Sequence, residues 1–159
     1  QEQQIVPEDS LESASPAKAR ISARTLDWTW FDPDNDTNAE NATIIENAKT
    51  MLEESDVLLA ADVAYDPSVL GSLANTIKYF LSSHTPSKEL QPKLALLATT
   101  RRNLKTFQLL EQELTQRGII IERVHPIPNS FKDHVLFPSH FHQPRSDVWF
   151  TKLTVPKIQ

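Results

Sequence analysis

The sequence predicts an α/β fold built on a largely parallel sheet. Residues 56–63 and 94–98 are short, continuous apolar runs, the pattern of strands buried on both faces. Each run is followed by a segment whose apolar residues recur at helical spacing. The links between strand-like and helix-like segments are short, which favours alternating β–α units. The chain has 159 residues, 39% of them hydrophobic. That is one domain's worth of core.

The elements follow in order. Residues 1–17 carry Pro, Ser, Glu and Gln with few apolar positions and read as a flexible lead-in. Residues 19–28, ending in Leu26-Asp27-Trp28, are expected to form a weakly alternating strand. The Asp, Asn and Pro content of 31–38 predicts a loop. A helix is expected over 39–53, with Ile44, Ile45, Ala48, Met51 and Leu52 near helical spacing. The strand at 56–63 closes on Asp62-Val63. Asp66-Pro67 then opens a helix to about residue 82, with Pro in its first turn. Its stripe is Val69, Leu70, Leu73, Ile77, Phe80 and Leu81.

After a polar loop at 83–92 comes the strand at 94–98. Asn103 is a candidate cap for a helix to about 117, with Phe107, Leu110 and Leu114 facing the core. Gly118 fits the position just past its end. Strands are expected at 119–124 and 147–155, separated by a loop at 131–144 rich in His and Phe. No internal repeat is visible.

Composition excludes several classes. A net charge of −5 argues against a general nucleic-acid surface. No apolar run reaches the roughly 20 residues needed to cross a bilayer. The polar start at Gln1-Glu2-Gln3-Gln4 is not a signal peptide. The absence of cysteine excludes disulfides and Cys-ligated zinc, and fits a cytoplasmic setting. The first residue is not Met, which suggests a processed or truncated product. Gly71 and Gly118 are the only glycines, so no Gly-rich loop can cradle a phosphate or dinucleotide. No Gly-x-Ser-x-Gly elbow supports a Ser/His/Asp hydrolase.

In open α/β sheets, ligands bind beyond the carboxyl ends of the strands. The foremost candidate is therefore Ala60-Ala61-Asp62-Val63-Ala64-Tyr65-Asp66-Pro67. Small residues there let a flat ligand approach the backbone. Asp62 can accept from an ammonium or hydroxyl, and Tyr65 can wall a cation. The competing reading is a loop whose acid, Asp66, merely caps a helix. Trp28 can stack on a purine or sit half-buried in the core. Arg101-Arg102, after a strand end, can meet an acidic partner or simply be solvated. His125, His134, His140 and His142 show no recognisable metal-ligand spacing, and no metal is expected.

With Asp62-x-x-Tyr65 after one strand and Leu26-Asp27-Trp28 at the end of another, the chain resembles class I (seven-β-strand) S-adenosylmethionine-dependent protein-lysine methyltransferases. Within that class it is most similar to those that act on elongation factor 2. Supporting stretches are Arg102-Asn103, the run from Phe107 through Leu114 into Gly118-Ile119, and Leu136-Phe137-Pro138. The likeness spans residues 19–155 and corresponds to the C-terminal half of the domain.

The resemblance implies a Rossmann-like fold, with S-adenosyl-L-methionine as cofactor and elongation factor 2 as protein substrate. It implies that Trp28 flanks the adenine and that Ala61 lines the cofactor pocket. Asp62 would face the incoming lysine amine, and Tyr65 would wall its channel. The family's Gly-rich loop after strand 1 and its acid after strand 2 have no counterpart here. Strands 1 and 2 are therefore expected to be missing, which would leave the strand at 19–28 without its neighbour. The isolated chain is expected to bind the cofactor poorly. An inactive methyltransferase-like fragment or interaction module stands as the alternative, as does a lysine methyltransferase for a nuclear protein or a chaperone.

Overall fold

The computed structural model describes residues 21–35, 41–83, 92–124 and 148–156. The lead-in at 1–17 and the His-rich loop at 131–144, with the four histidines singled out above, lie outside the described residues.

The strands are β1 (Val57–Ala61), β2 (Leu94–Thr100), β3 (Ile120–Val124) and β4 (Val148–Thr154), and the helices are α1 (Ala42–Glu54), α2 (Leu70–Ser82) and α3 (Leu104–Gln116). The fold is mixed α/β. Its sheet has the order β1-β2-β4-β3. β1 pairs parallel to β2, with Leu59 opposite Leu96. β4 runs antiparallel to both its neighbours.

The expectation of a largely parallel sheet is therefore corrected: one of the three pairings is parallel. The β-α-β crossovers do keep β1, β2 and β3 pointing the same way. β4 follows no helical crossover among the described residues and inserts, reversed, between β2 and β3.

α2 and α3 cover one face of the sheet. Leu70, Leu73, Ile77, Phe80 and Leu81 of α2 and Leu110 and Leu114 of α3 close over Ala95, Leu97 and Leu153. This is the predicted stripe of each helix. Only Val69 misses the core helix, lying in a 3-10 turn at Pro67–Val69. α1 packs on α2 through Leu52. The Lys93 ammonium holds α1's end by donating to the carbonyls of Leu52 and Glu53, both at 2.7 Å. Gly118 takes φ +69° just past α3, the left-handed stop its position predicts.

Two further expectations fail. Residues 21–27 form no strand; a 3-10 turn at Trp28–Phe31 follows, capped by the Asp27 side chain. A strand needs a partner for its backbone groups, and among the described residues none lies beside this segment. The segment is anchored by side chains instead. Asp32 accepts from Ser72 Oγ at 2.7 Å and Asn75 Nδ2 at 2.8 Å, while Phe31 packs on Tyr79.

β1 is likewise not buried on both faces. Leu58 and Ala60 pack on the core, but Val57 is 50% and Leu59 74% exposed. β1 is an edge strand, and among the described residues no layer covers the face that Val57, Leu59, Phe150 and Ile120 share.

Candidate functional site

The parallel pairing of β1 and β2 brings the ends Ala60-Ala61-Asp62 and Ala98-Thr99-Thr100 side by side. β1 ends where Asp62 turns into the left-handed region at φ +52°. That conformation is uncommon for a residue with a side chain, though Asp tolerates it better than most. It is held by two hydrogen bonds to β2. The Asp62 N–H donates to the Ala98 carbonyl at 2.9 Å, and Asp62 Oδ1 accepts from the Thr100 N–H at 3.1 Å. Strained backbone of this kind concentrates at binding and catalytic sites.

The turn continues through Ala64 and Tyr65 to Asp66. The Asp66 carboxylate accepts from the Ser68 N–H at 2.9 Å and caps the start of the next helix. The capping reading is thus correct for Asp66, and Asp62 is left to do something else.

Asp62, Tyr65, Thr100, Arg102, Thr106 and Phe107 line a cleft of about 240 Å³ between the strand ends and the start of α3. Asn103 also lines it and caps α3, accepting from the Lys105 N–H at 2.9 Å. Tyr65 stands exposed at the rim, while Phe107 is buried. The Asp62 carboxyl is held below its ordinary value of 3.8, first by the Thr100 hydroxyl, then by the Thr100 N–H, with burial opposing and Arg102 adding a smaller pull. Arg102 Nη2 lies 3.4 Å from Asp62 Oδ2. The result is a stable anion at the mouth of a partly aromatic cleft, suited to a cation on an apolar stem.

Of the residues predicted from sequence, Asp62 and Tyr65 come together in this cleft. Trp28 and Ala61 do not line it. Trp28 is half-buried against the core, its carbonyl facing Thr76 Oγ1 at 3.4 Å. Ala61 is exposed at the end of β1. The cleft also recruits residues that the sequence alone assigns elsewhere. Phe107, a core position by its spacing, is buried there while also flooring the cleft. Arg102 does meet an acid, as the basic pair suggests, but that acid belongs to this chain. Arg101 stacks instead over Trp149, 5.2 Å from its ring centre. Arg102's place two residues past β2 is the available signal; its partner depends on the pairing of β1 with β2.

No family model matches the chain. It is similar to an uncharacterized protein of Dictyostelium discoideum, at 26% identity over 98 residues. The match takes in 62% of this chain and 23% of that protein, so the chain spans less than a quarter of the relative's length. Among the described residues, no helix is long and apolar enough to cross a membrane.

Proposed function

We propose that this chain is the lysine-binding part of an S-adenosylmethionine-dependent protein-lysine methyltransferase acting on elongation factor 2. The observation that carries the reading is the cleft in which Asp62 and Tyr65 meet at the carboxyl end of β1. Both residues belong to the Asp-x-x-Tyr signature. The elongation-factor substrate rests on the sequence resemblance alone.

The residues present do not fit the whole cofactor. Gly71 lies within α2 and Gly118 at the end of α3, so neither can build a loop that approaches a ligand's backbone-binding groups. Trp28 and Ala61 do not join the cleft. The role of this chain is therefore confined to the amine. Asp62, anionic at neutral pH, would hold the lysine ammonium and align it. With its carboxyl held below 3.8, Asp62 is a poor proton acceptor, so it positions the amine while the ammonium proton leaves to water. Tyr65 and Phe107 would flank the lysine stem and displace solvent from it.

Strands 1 and 2 of the resembled fold would lie beyond the edge of β1. The outer edge of β1, unpaired among the described residues, agrees with that arrangement. That edge and the exposed face of Val57, Leu59, Ile120 and Phe150, with the two glycines that build no loop, favour a second reading: an inactive methyltransferase-like interaction module.

Methyl transfer from S-adenosylmethionine to purified elongation factor 2 tests the proposal, using the protein that carries these residues. Asp62→Asn keeps the shape of the turn, and Asn also tolerates positive φ. It should abolish transfer while S-adenosylhomocysteine affinity, measured by calorimetry, is unchanged. Undiminished turnover in that variant would sink the role of Asp62. Absence of transfer and of S-adenosylhomocysteine binding in the wild type would favour the interaction module.

A further inference from the structure

We infer that the Arg102 guanidinium is a stand-in for the substrate cation: it covers the outer oxygen of Asp62, and a primary alkylammonium enters the cleft by displacing it. This rests on the lysine-cleft reading and adds to it a residue that sets how tightly a cation must bind to enter the cleft.

The two oxygens of Asp62 are held very differently. Oδ1 accepts from the Thr100 N–H, a backbone donor fixed by the sheet. Oδ2 is met by the end of a long side chain, Arg102 Nη2, at 3.4 Å. Arg102 is itself tethered at its backbone, its N–H donating to the Thr100 carbonyl at 2.9 Å. Its side chain is 73% exposed. Arginine binds a carboxylate best through two parallel N–H donors. Here it makes one long contact, the weak form of the pair. An ammonium is a compact charge with three donors and fits one oxygen better. The cleft favours an incoming cation that also carries an apolar stem, because Tyr65 and Phe107 reward the stem while Arg102 opposes every cation alike. An exposed pair of this kind should weaken ammonium binding by about two- to fivefold. Small inorganic cations meet the same penalty with no stem to offset it, so the discrimination comes from Tyr65 and Phe107.

The test is an NMR titration of the 159-residue chain with n-butylammonium chloride, the lysine side chain in miniature, at constant ionic strength. In the wild type, the Tyr65 ring and Arg102 Nε–H signals should shift along one isotherm, while the Thr100 amide stays in place. Arg102→Gln should bind n-butylammonium about two- to fivefold more tightly. Asp62→Asn should not bind it. If Tyr65 titrates while Arg102 Nε–H stays still, or Arg102→Gln binds no tighter, the stand-in role is overturned and the lysine cleft survives. If Tyr65 responds in neither wild type nor Arg102→Gln, both the role and the lysine cleft are refuted. The Arg102 signal is read in the wild type, so that outcome does not depend on how the variants fold.

Discussion

Leu59 and Leu97 sit on adjacent paired strands, yet replacing them should have very different costs. Leu59 is 74% exposed at the middle of β1, and Leu97 is 2% exposed at the middle of β2. Burying a leucine side chain completely stabilises a protein by about 1.5–3 kcal/mol. Only about a quarter of Leu59 is removed from water, so Leu59→Ser should cost about 0.4–0.8 kcal/mol. Leu97→Ala removes core atoms packed among α2, α3 and β4 and leaves a cavity, at about 2–5 kcal/mol. Against a typical total stability of about 5–15 kcal/mol, the first change is minor and the second severe. Urea denaturation followed by circular dichroism reads both as shifts in midpoint at constant slope. A loss above about 2 kcal/mol in Leu59→Ser would refute the inference that this face is open. It would mean that the chain itself buries Leu59. Leu59→Lys carries a companion expectation: charge on this strand should lower self-association in sedimentation, because β1 otherwise offers an apolar strand whose outer edge is unpaired among the described residues.

Asn103→Ala removes the side chain that accepts from the Lys105 N–H at the start of α3, and should cost about 1 kcal/mol in the same urea assay. No loss there would mean that the cap contributes nothing. Asp62 contributes to acid stability with a defined sign. Its folded value is depressed below 3.8 by Thr100, so its contribution is complete above the unfolded value and disappears as pH falls through the folded one. The stability difference between wild type and Asp62→Asn should therefore be flat at neutral pH and shrink below pH 3.8. A difference that grows on acidification would reverse the assigned cause. Comparison with Asp62→Asn isolates this group from Asp66, whose carboxyl is lowered by Ser68 in the same direction.

Local rules written in the sequence carry far. The periodicity at 39–53 anticipates α1 to within a few residues, and the stripe from Leu70 to Leu81 is the stripe that α2 buries. Asn103 and Gly118 mark the two ends of α3 because capping and left-handed stops are decided within a few residues. Asp62 and Tyr65 stand out because a strand end followed by a turn is a local pattern, and the structure brings both into one cleft. Their chemical role comes from the resemblance.

What tertiary structure decided was every question of partnership. Residues 21–27 have strand-like composition but pair with no strand among the described residues, and a strand is a property of a pair. The run Val57–Ala61 is apolar throughout, yet composition does not say whether both faces are covered; among the described residues no layer covers the face that carries Leu59. β4 reads as a strand without revealing its direction, which depends on the neighbours it joins. The partner of Arg102 lies 40 residues away along the chain. No local pattern names it. The meeting of Asp62 with Thr100 and Arg102 exists only because β1 and β2 pair in parallel and end together, since hydrogen bonds and ion pairs act over a few ångströms of space whatever the distance along the chain.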